Sequence, residues 1–306
     1  MTAVQISQLA SFRGIGPDCP MDLQVAGNSS YDLQKIISLS REVLKKSGSS
    51  LSEGEKLNIQ EQLMIALLET GNVETAFDTY NDIAAKFPAQ KSLRTTRLFG
   101  MYQEATGDHD AAFKTYKSAL DRDETYLPII RRVVGLMIGR GQRPQAIEQL
   151  VKYLDSFMQD AEGWLQISSL YLAENMYAQA SFALEELILL RPGNHLYHLR
   201  YADVLGTMGN NVLALKHYCR AVELSTDNVR GLYGMRITIS KLIAAVKVPG
   251  KSRGSDAAEG APSLETLLDL YKLTEERLQD VYGSSGAKAT IFSILKAWFR
   301  SSPIVK

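Results

Sequence analysis

The chain has 306 residues, enough for one large or two ordinary domains, and 45% of them are hydrophobic, so a sizeable core can form. Lys plus Arg equals Asp plus Glu at 34 each, and this zero balance gives no bulk attraction to nucleic acid or to anionic lipid. The two cysteines, Cys19 and Cys219, lie too far apart to suggest a disulfide framework and read as free thiols of a reducing compartment.

The N-terminal segment 1–30 has neither a basic stretch nor a long apolar run, so no signal peptide is expected there. Its Asn28-Ser29-Ser30 sequon would matter only in a secreted chain. No stretch approaches 18 uninterrupted apolar residues, so no membrane span is expected. The first helical pattern, 31–48, stops at Gly48.

From there the chain repeats itself. Gly107, Gly141 and Gly209 separate apolar-periodic segments, and an alanine follows each five positions later. With Ala180 in the intervening copy, Ala112, Ala146, Ala180 and Ala214 are spaced by 34 residues each time. A bulky residue comes four positions on (Tyr116, Leu150, Leu184, Tyr218). An earlier copy holds Gly71, Ala76, Tyr80 and Pro88, offset by 36 residues rather than 34. The spacing predicts tetratricopeptide repeats near 57–90, 93–126, 127–160, 161–194 and 195–228, with a partial sixth from 229. In each, alanine lets helices A and B cross closely, and glycine or asparagine turns the chain at positive φ. The copy at 161–194 carries the fullest set: Trp164, Tyr171, Ala180, Leu184, Leu187 and Pro192, with Asn175 at the turn and Ser168 in place of a Gly or Ala.

After the sixth helix A, residues 246–262 are rich in Gly, Ser and Pro and read as a flexible loop. Helical pattern resumes behind Ser263 with Leu264, Leu267, Leu268 and Tyr271, and again over 287–302 with Ile291, Ile294, Leu295 and Trp298. Both, within 263–306, read as capping helices, as a solenoid's ends require; membrane-surface contact is the other use open to 287–302. The expected fold is therefore all-α: a tetratricopeptide-repeat superhelical solenoid over 31–245 with helical caps at both ends.

No nucleotide, hydrolase or metalloprotease motif is present, and "GSSGAK" (283–288) lacks the spacing and hydroxyl of a phosphate loop. His195 and His198 form H-x-x-H, with His217 near Cys219, but no further ligand is obvious nearby, and Asn194-His195 reads as a closed inter-repeat turn. No cofactor, metal or catalytic residue is expected. A solenoid's partner surface is its concave face, lined at helix A positions 2, 5, 9 and 12. This register selects Arg94, Arg97, Met101, Glu104, Arg131 and the adjacent Arg132, then Ile138, Glu162, Leu165, Ser169, Leu172, Leu196, Leu199 and Asp203. The groove is expected to be basic in its first half, suited to an acidic or extended peptide, and apolar in its second. Position 9 never holds Asn (Ile65, Met101, Gly135, Ser169, Asp203, Ile237), unlike clamps for chaperone tails.

The run Trp164…Leu170-Tyr171…Tyr177-Ala178-Gln179-Ala180…Leu184-Glu185-Glu186-Leu187…Pro192…Asn194-His195-Leu196-Tyr197…Tyr201-Ala202-Asp203 resembles the family of subunit 2 of the ER membrane protein complex. Residues 214–235 continue the likeness, and 107–132 do so more loosely. The resemblance implies a non-catalytic scaffold, peripheral on the cytosolic face of the ER membrane, in a complex that inserts tail-anchored and multipass segments. It implies partners in membrane subunits 3 and 5, in a soluble subunit 8 or 9 where one exists, and in subunit 1. The other reading is an adaptor or auxiliary subunit of a soluble multiprotein complex.

Overall fold

A computed structural model describes residues 33–47, 51–247, 261–284, 293–294 and 296–299. Cys19, the sequon, the segment 1–30 and most of 246–262 and 287–302 lie outside the described residues. Among the described residues there is no strand. The helices are Leu33–Ser47 (α1), Glu53–Glu69 (α2), Val73–Lys86 (α3), Leu93–Ala105 (α4), His109–Leu120 (α5), Leu127–Gly139 (α6) and Arg143–Ser156 (α7). They continue with Ala161–Ala173 (α8), Tyr177–Leu190 (α9), His195–Thr207 (α10), Asn211–Leu224 (α11), Val229–Lys247 (α12) and Leu264–Ser284 (α13). By internal packing the chain divides into residues 1–153 and 154–306, each described by itself below.

Every repeat turns in the same way. At Gly71 (φ +76°), Gly107 (+83°), Gly141 (+74°) and Gly209 (+85°) the backbone enters the left-handed region, and Asn175 (φ 58°) does so in the copy without glycine. There the chain reverses through paired bonds to the preceding helix: Asn72 N–H donates to Leu67 O at 2.9 Å and Gly71 N–H to Leu68 O at 3.1 Å. Met176 to Tyr171 (2.8 Å) and Asn175 to Leu172 (3.1 Å) repeat the pattern. This is the Schellman termination, which satisfies the last carbonyls of helix A. Helix starts are capped as locally. Asp108, Asp160 and Asn194 each accept a first-turn N–H. Ser52 and Glu55 form a reciprocal capping box, which is why α2 begins at Glu53, ahead of the boundary near residue 57.

In the first unit each helix from α1 to α6 packs on the next, and α2 also touches α4. Ile36, Ile37 and Val43 of α1 bury against Ile59, Met64 and Leu67 of α2, so α1 closes the N-terminal end. In the second unit α8 to α13 pack in the same succession, and α10 also touches α12. Thus in each unit a pair of consecutive A helices, α2 with α4 and α10 with α12, make direct contact, which matters for the groove below. Ala76, Ala112, Ala146, Ala180 and Ala214 are all 0% exposed. The bulky residues one turn later, Tyr80, Tyr116, Leu150, Leu184 and Tyr218, are buried with them. Ser168 is buried too, its hydroxyl turned back to Leu165 O at 2.8 Å. Trp164 is partly buried and donates its indole N–H to Met158 O at 2.8 Å; Tyr171 is half-buried, and Pro192 lies exposed in the turn after α9.

At the C-terminal end helix α13 packs on α12, in the place of the helix B that the 246–262 insertion displaces. At the described part of the last helix Phe299 is buried beside Leu232 and Leu278, whereas Ile294, expected on the apolar face, is exposed. Arg236, 2% exposed, anchors this corner. Its guanidinium lies 4.0 Å from the ring centroid of Tyr271, 4.4 Å from Phe299 and 4.8 Å from Trp298. Glu275 stands 3.7 Å from Nη1. Desolvated cation–ring contacts of this kind contribute about 2 kcal/mol or more.

Gly100 and Gly135 sit in opposite surroundings. A Cβ on Gly100 would lie 2.2 Å from Cε1 of Tyr116, while one on Gly135, exposed in the middle of α6, meets nothing within 4 Å. Gly100→Ala is therefore expected to destabilise the protein by about 1–3 kcal/mol through overpacking. Gly135→Ala is expected to stabilise it by about 0.5–1 kcal/mol through helix propensity. Opposite shifts of the urea midpoint for the two variants check the register.

Candidate functional site

In the first unit, the face formed by the A helices α2, α4 and α6 gathers arginines and glutamates. Glu61, buried on α2, accepts from both Arg94 and Arg97 of α4. Arg94 also donates from Nη2 to Asn58 Oδ1 at 2.7 Å. The geometry follows from the repeat: residues at equal positions of consecutive A helices are neighbours, so position 5 of one copy (Glu61) meets position 5 of the next (Arg97). Glu104 accepts the Tyr116 hydroxyl and lies 3.5 Å from Nη1 of Arg132. Burial, and then the Glu104 carboxylate, push the Tyr116 phenol far up, so it remains a neutral donor. Three guanidiniums, those of Arg94, Arg97 and Arg132, thus share two carboxylates. Nε and Nη2 of Arg132 are buried without a hydrogen-bond acceptor.

This arrangement corrects the groove expected from spacing. Arg97 is 8% exposed and its charge is held by Glu61, so it is not a solvent-facing grip. Met101, Leu165 and Leu199 are core residues. The packing of α4 on α2 and of α10 on α12 contributes to this cover. Arg94, by contrast, keeps 51% of its side chain exposed, and Arg131 and Arg132 are half-buried. In the second unit Ser169 is exposed and Leu172 half-buried. Asp203 accepts the Tyr218 hydroxyl and pairs with Nη2 of Arg230, both at 2.6 Å. Sequence reasoning missed Glu61; its shared repeat position with Arg97 was the available signal.

The histidines assemble differently from H-x-x-H. His198 of α10 pairs with His217 of α11, Nδ1 to Nδ1 at 3.1 Å, while His195 stands at the start of α10. Nε2 of His198 lies 3.0 Å from the Pro192 carbonyl, which can only accept, so this nitrogen carries the proton. Its Nδ1 then accepts from His217, whose ring also meets Tyr201 edge-on. Burial first, and then the neighbouring His198, push the His217 pKa down to about 4, against a weaker opposite pull from Glu185. Among the described residues no group of three or more His, Cys, Asp or Glu could hold a metal ion.

A family model described as the EMC2 TPR-like repeat domain matches residues 86–211. The TPR repeat protein oca3 of Schizosaccharomyces pombe is 30% identical over 71% of this chain and 79% of its own length. ER membrane protein complex subunit 2 of Xenopus tropicalis is 29% identical over 86% of this chain and 89% of its own. The chain belongs to the family of ER membrane protein complex subunit 2. Among solved structures, the C-terminal part of a TPR repeat-containing protein from Cytophaga hutchinsonii aligns with a TM-score of 0.56 at 14% identity, covering 83% of this chain and 92% of that one. At that identity the likeness shows the tetratricopeptide fold. The family's EMC2 domain spans the arginine-bearing helices α4 and α6 and the histidine-bearing α10, ending at Asn211, where α11 begins.

Two outcomes test the site's electrostatics. Glu61→Leu deprives the buried Arg97 cation of this carboxylate and is expected to cost about 3–5 kcal/mol, most of it recovered in Glu61→Leu with Arg97→Leu; denaturant melts of the three variants measure this. For His217, the unfolded chain takes up its proton near pH 6.5 and the folded chain only near 4. Stability from this group is therefore complete above about pH 6.5 and is lost as the pH falls toward 4. His217→Gln is expected to flatten the melting temperature across that interval.

Proposed function

We propose that the chain is a non-catalytic scaffold subunit of the ER membrane protein complex. It works on the cytosolic face of the ER membrane, where it holds cytosolic tails and loops of membrane subunits in register and so supports insertion of tail-anchored and multipass segments. Family membership supports the assembly. No described helix is long and apolar enough to cross a membrane, which fits a subunit that reaches the bilayer through its partners.

The observation that carries the holding role is the cluster of arginines on the A helices of the first unit. The guanidiniums of Arg94, Arg97 and Arg132 share the carboxylates of Glu61 and Glu104, and Arg94 keeps 51% of its side chain exposed. Arg94 and Arg132, with Arg131 beside them, form the grip. A carboxylate of an extended acidic tail would pair with the exposed guanidinium of Arg94, and guanidinium is the donor best matched to it. The tail of subunit 5 is the proposed occupant. Loops of subunit 3, subunit 1 and a soluble subunit 8 or 9 are further proposed contacts.

The test has two arms. The tagged chain, purified from mild-detergent extracts, is expected to return several multi-span ER proteins in fixed ratio; return of soluble proteins alone would favour an adaptor of a soluble complex. In a titration with the labelled cytosolic tail of subunit 5, Arg94→Gln with Arg132→Gln is expected to weaken binding about tenfold or more, since each charge-assisted bond contributes about 1.5–3 kcal/mol. Unchanged affinity would remove the groove from the proposal while leaving the assembly intact.

A further inference from the structure

The hairpin α8–α9, in the second unit, is unlike the others in two respects. First, it is acid-only: between Ala161 and Leu190 the charged residues are Glu162, Glu174, Glu185 and Glu186, with no Lys, Arg or His. The hairpins α4–α5 and α10–α11 carry both signs. Second, α9 is apolar on its outer side as well as its inner one. Ala180, Leu184 and Leu187 are buried, yet Phe182 is 56% and Leu189 75% exposed. Trp164 meets Phe182 edge-on, with ring centroids 6.1 Å apart. Its indole N–H is tied to the carbonyl of Met158, whose side chain is 67% exposed. These four residues make an apolar ledge with Glu185 and Glu186 set between Phe182 and Leu189.

We propose that this ledge docks a partner's amphipathic helix whose apolar stripe is flanked by lysines or arginines. Phe182 and Leu189 stand two turns apart on one face, about 10.5 Å along the axis, the spacing at which an i, i+7 stripe engages. The acidic residues select the occupant. Anionic lipid headgroups are repelled by Glu185 and Glu186 at the middle of the ledge. A second copy related by two-fold symmetry would set Glu185 and Glu186 against themselves. Basic flanks, by contrast, bring a counter-charge to Glu186 and to Glu185, which also accepts the Tyr201 hydroxyl. The surface is distinct from the arginine-bearing A helices of the first unit.

The experiment uses the full chain and two fluorescein-labelled 18-residue helices, one of Leu and Lys, the other of Leu and Glu, followed by anisotropy. The Leu/Lys helix is expected to bind, more weakly as salt rises, and the Leu/Glu helix not to bind. Phe182→Asp, Leu189→Asp and Glu186→Lys are each expected to weaken binding by about tenfold, as for a central anchor of an interface. Leu189 is so exposed that its variant keeps the fold, as circular dichroism will register, and it carries the test should Phe182→Asp not fold. Absence of Leu/Lys binding, equal binding of both helices, or indifference to Leu189→Asp would overturn the proposal. So would a dimer in sedimentation that Leu189→Asp dissolves, which would make a second copy the occupant.

Discussion

The fold depends on one steric constraint: two helices can cross at backbone-limited distance only where a side chain is no larger than a methyl group. Ala76, Ala112, Ala146, Ala180 and Ala214 meet that requirement in five successive hairpins, each entirely shielded from water. Once the crossing is fixed, the residue one turn on must fill the space beside it, and Tyr80, Tyr116, Leu150, Leu184 and Tyr218 do. Interior packing tolerates little deviation in volume. Where a tyrosine fills the gap, something opposite must give way. Gly100 gives way to Tyr116 within one hairpin, and Gly234 gives way to Tyr218 from the next. Small and large residues are therefore chosen in pairs across helices, not singly.

The same regularity makes charge placement a matter of neighbouring copies. Equal positions on consecutive A helices face one another, so a glutamate at position 5 meets an arginine at position 5 one repeat later. Pairing of that kind holds Arg97 in the interior at Glu61, while Nε and Nη2 of Arg132 are buried without a hydrogen-bond acceptor. The first unit's A-helix face is thus partly neutralised from within, and what remains for a partner is a few directed donors rather than a broad basic surface.

Legibility in the sequence followed the range of the interactions. The alanine spacing, the Gly71, Gly107, Gly141 and Gly209 turns, and the helix start behind Ser263 depend on residues a few positions apart, and all stand out from the chain alone. The departures come from contacts between copies. Met101, Leu165 and Leu199 occupy positions that a single isolated repeat would expose, yet each is buried in the core of its unit. His198 finds its partner across the hairpin in His217 rather than one turn away in His195. Helix α13 was legible as a helix beyond an insertion at 246–262 that breaks the 34-residue rhythm. Loop closure grows slowly with length, so such an insertion leaves the pairing of the helices intact.

Arg236 has a further consequence. The Arg94–Glu61 pair has one partner open to water, so mobile ions compete for it, whereas the Arg236 cation is walled by Tyr271, Trp298 and Phe299. Arg236 is 2% exposed, with the partly exposed Glu275 beside it, and screening acts on exposed pairs far more than on buried ones. The attraction of this cation to the rings is therefore less sensitive to salt than the Arg94–Glu61 pair, and rising ionic strength loosens the arginine face of the first unit before it reaches the C-terminal corner.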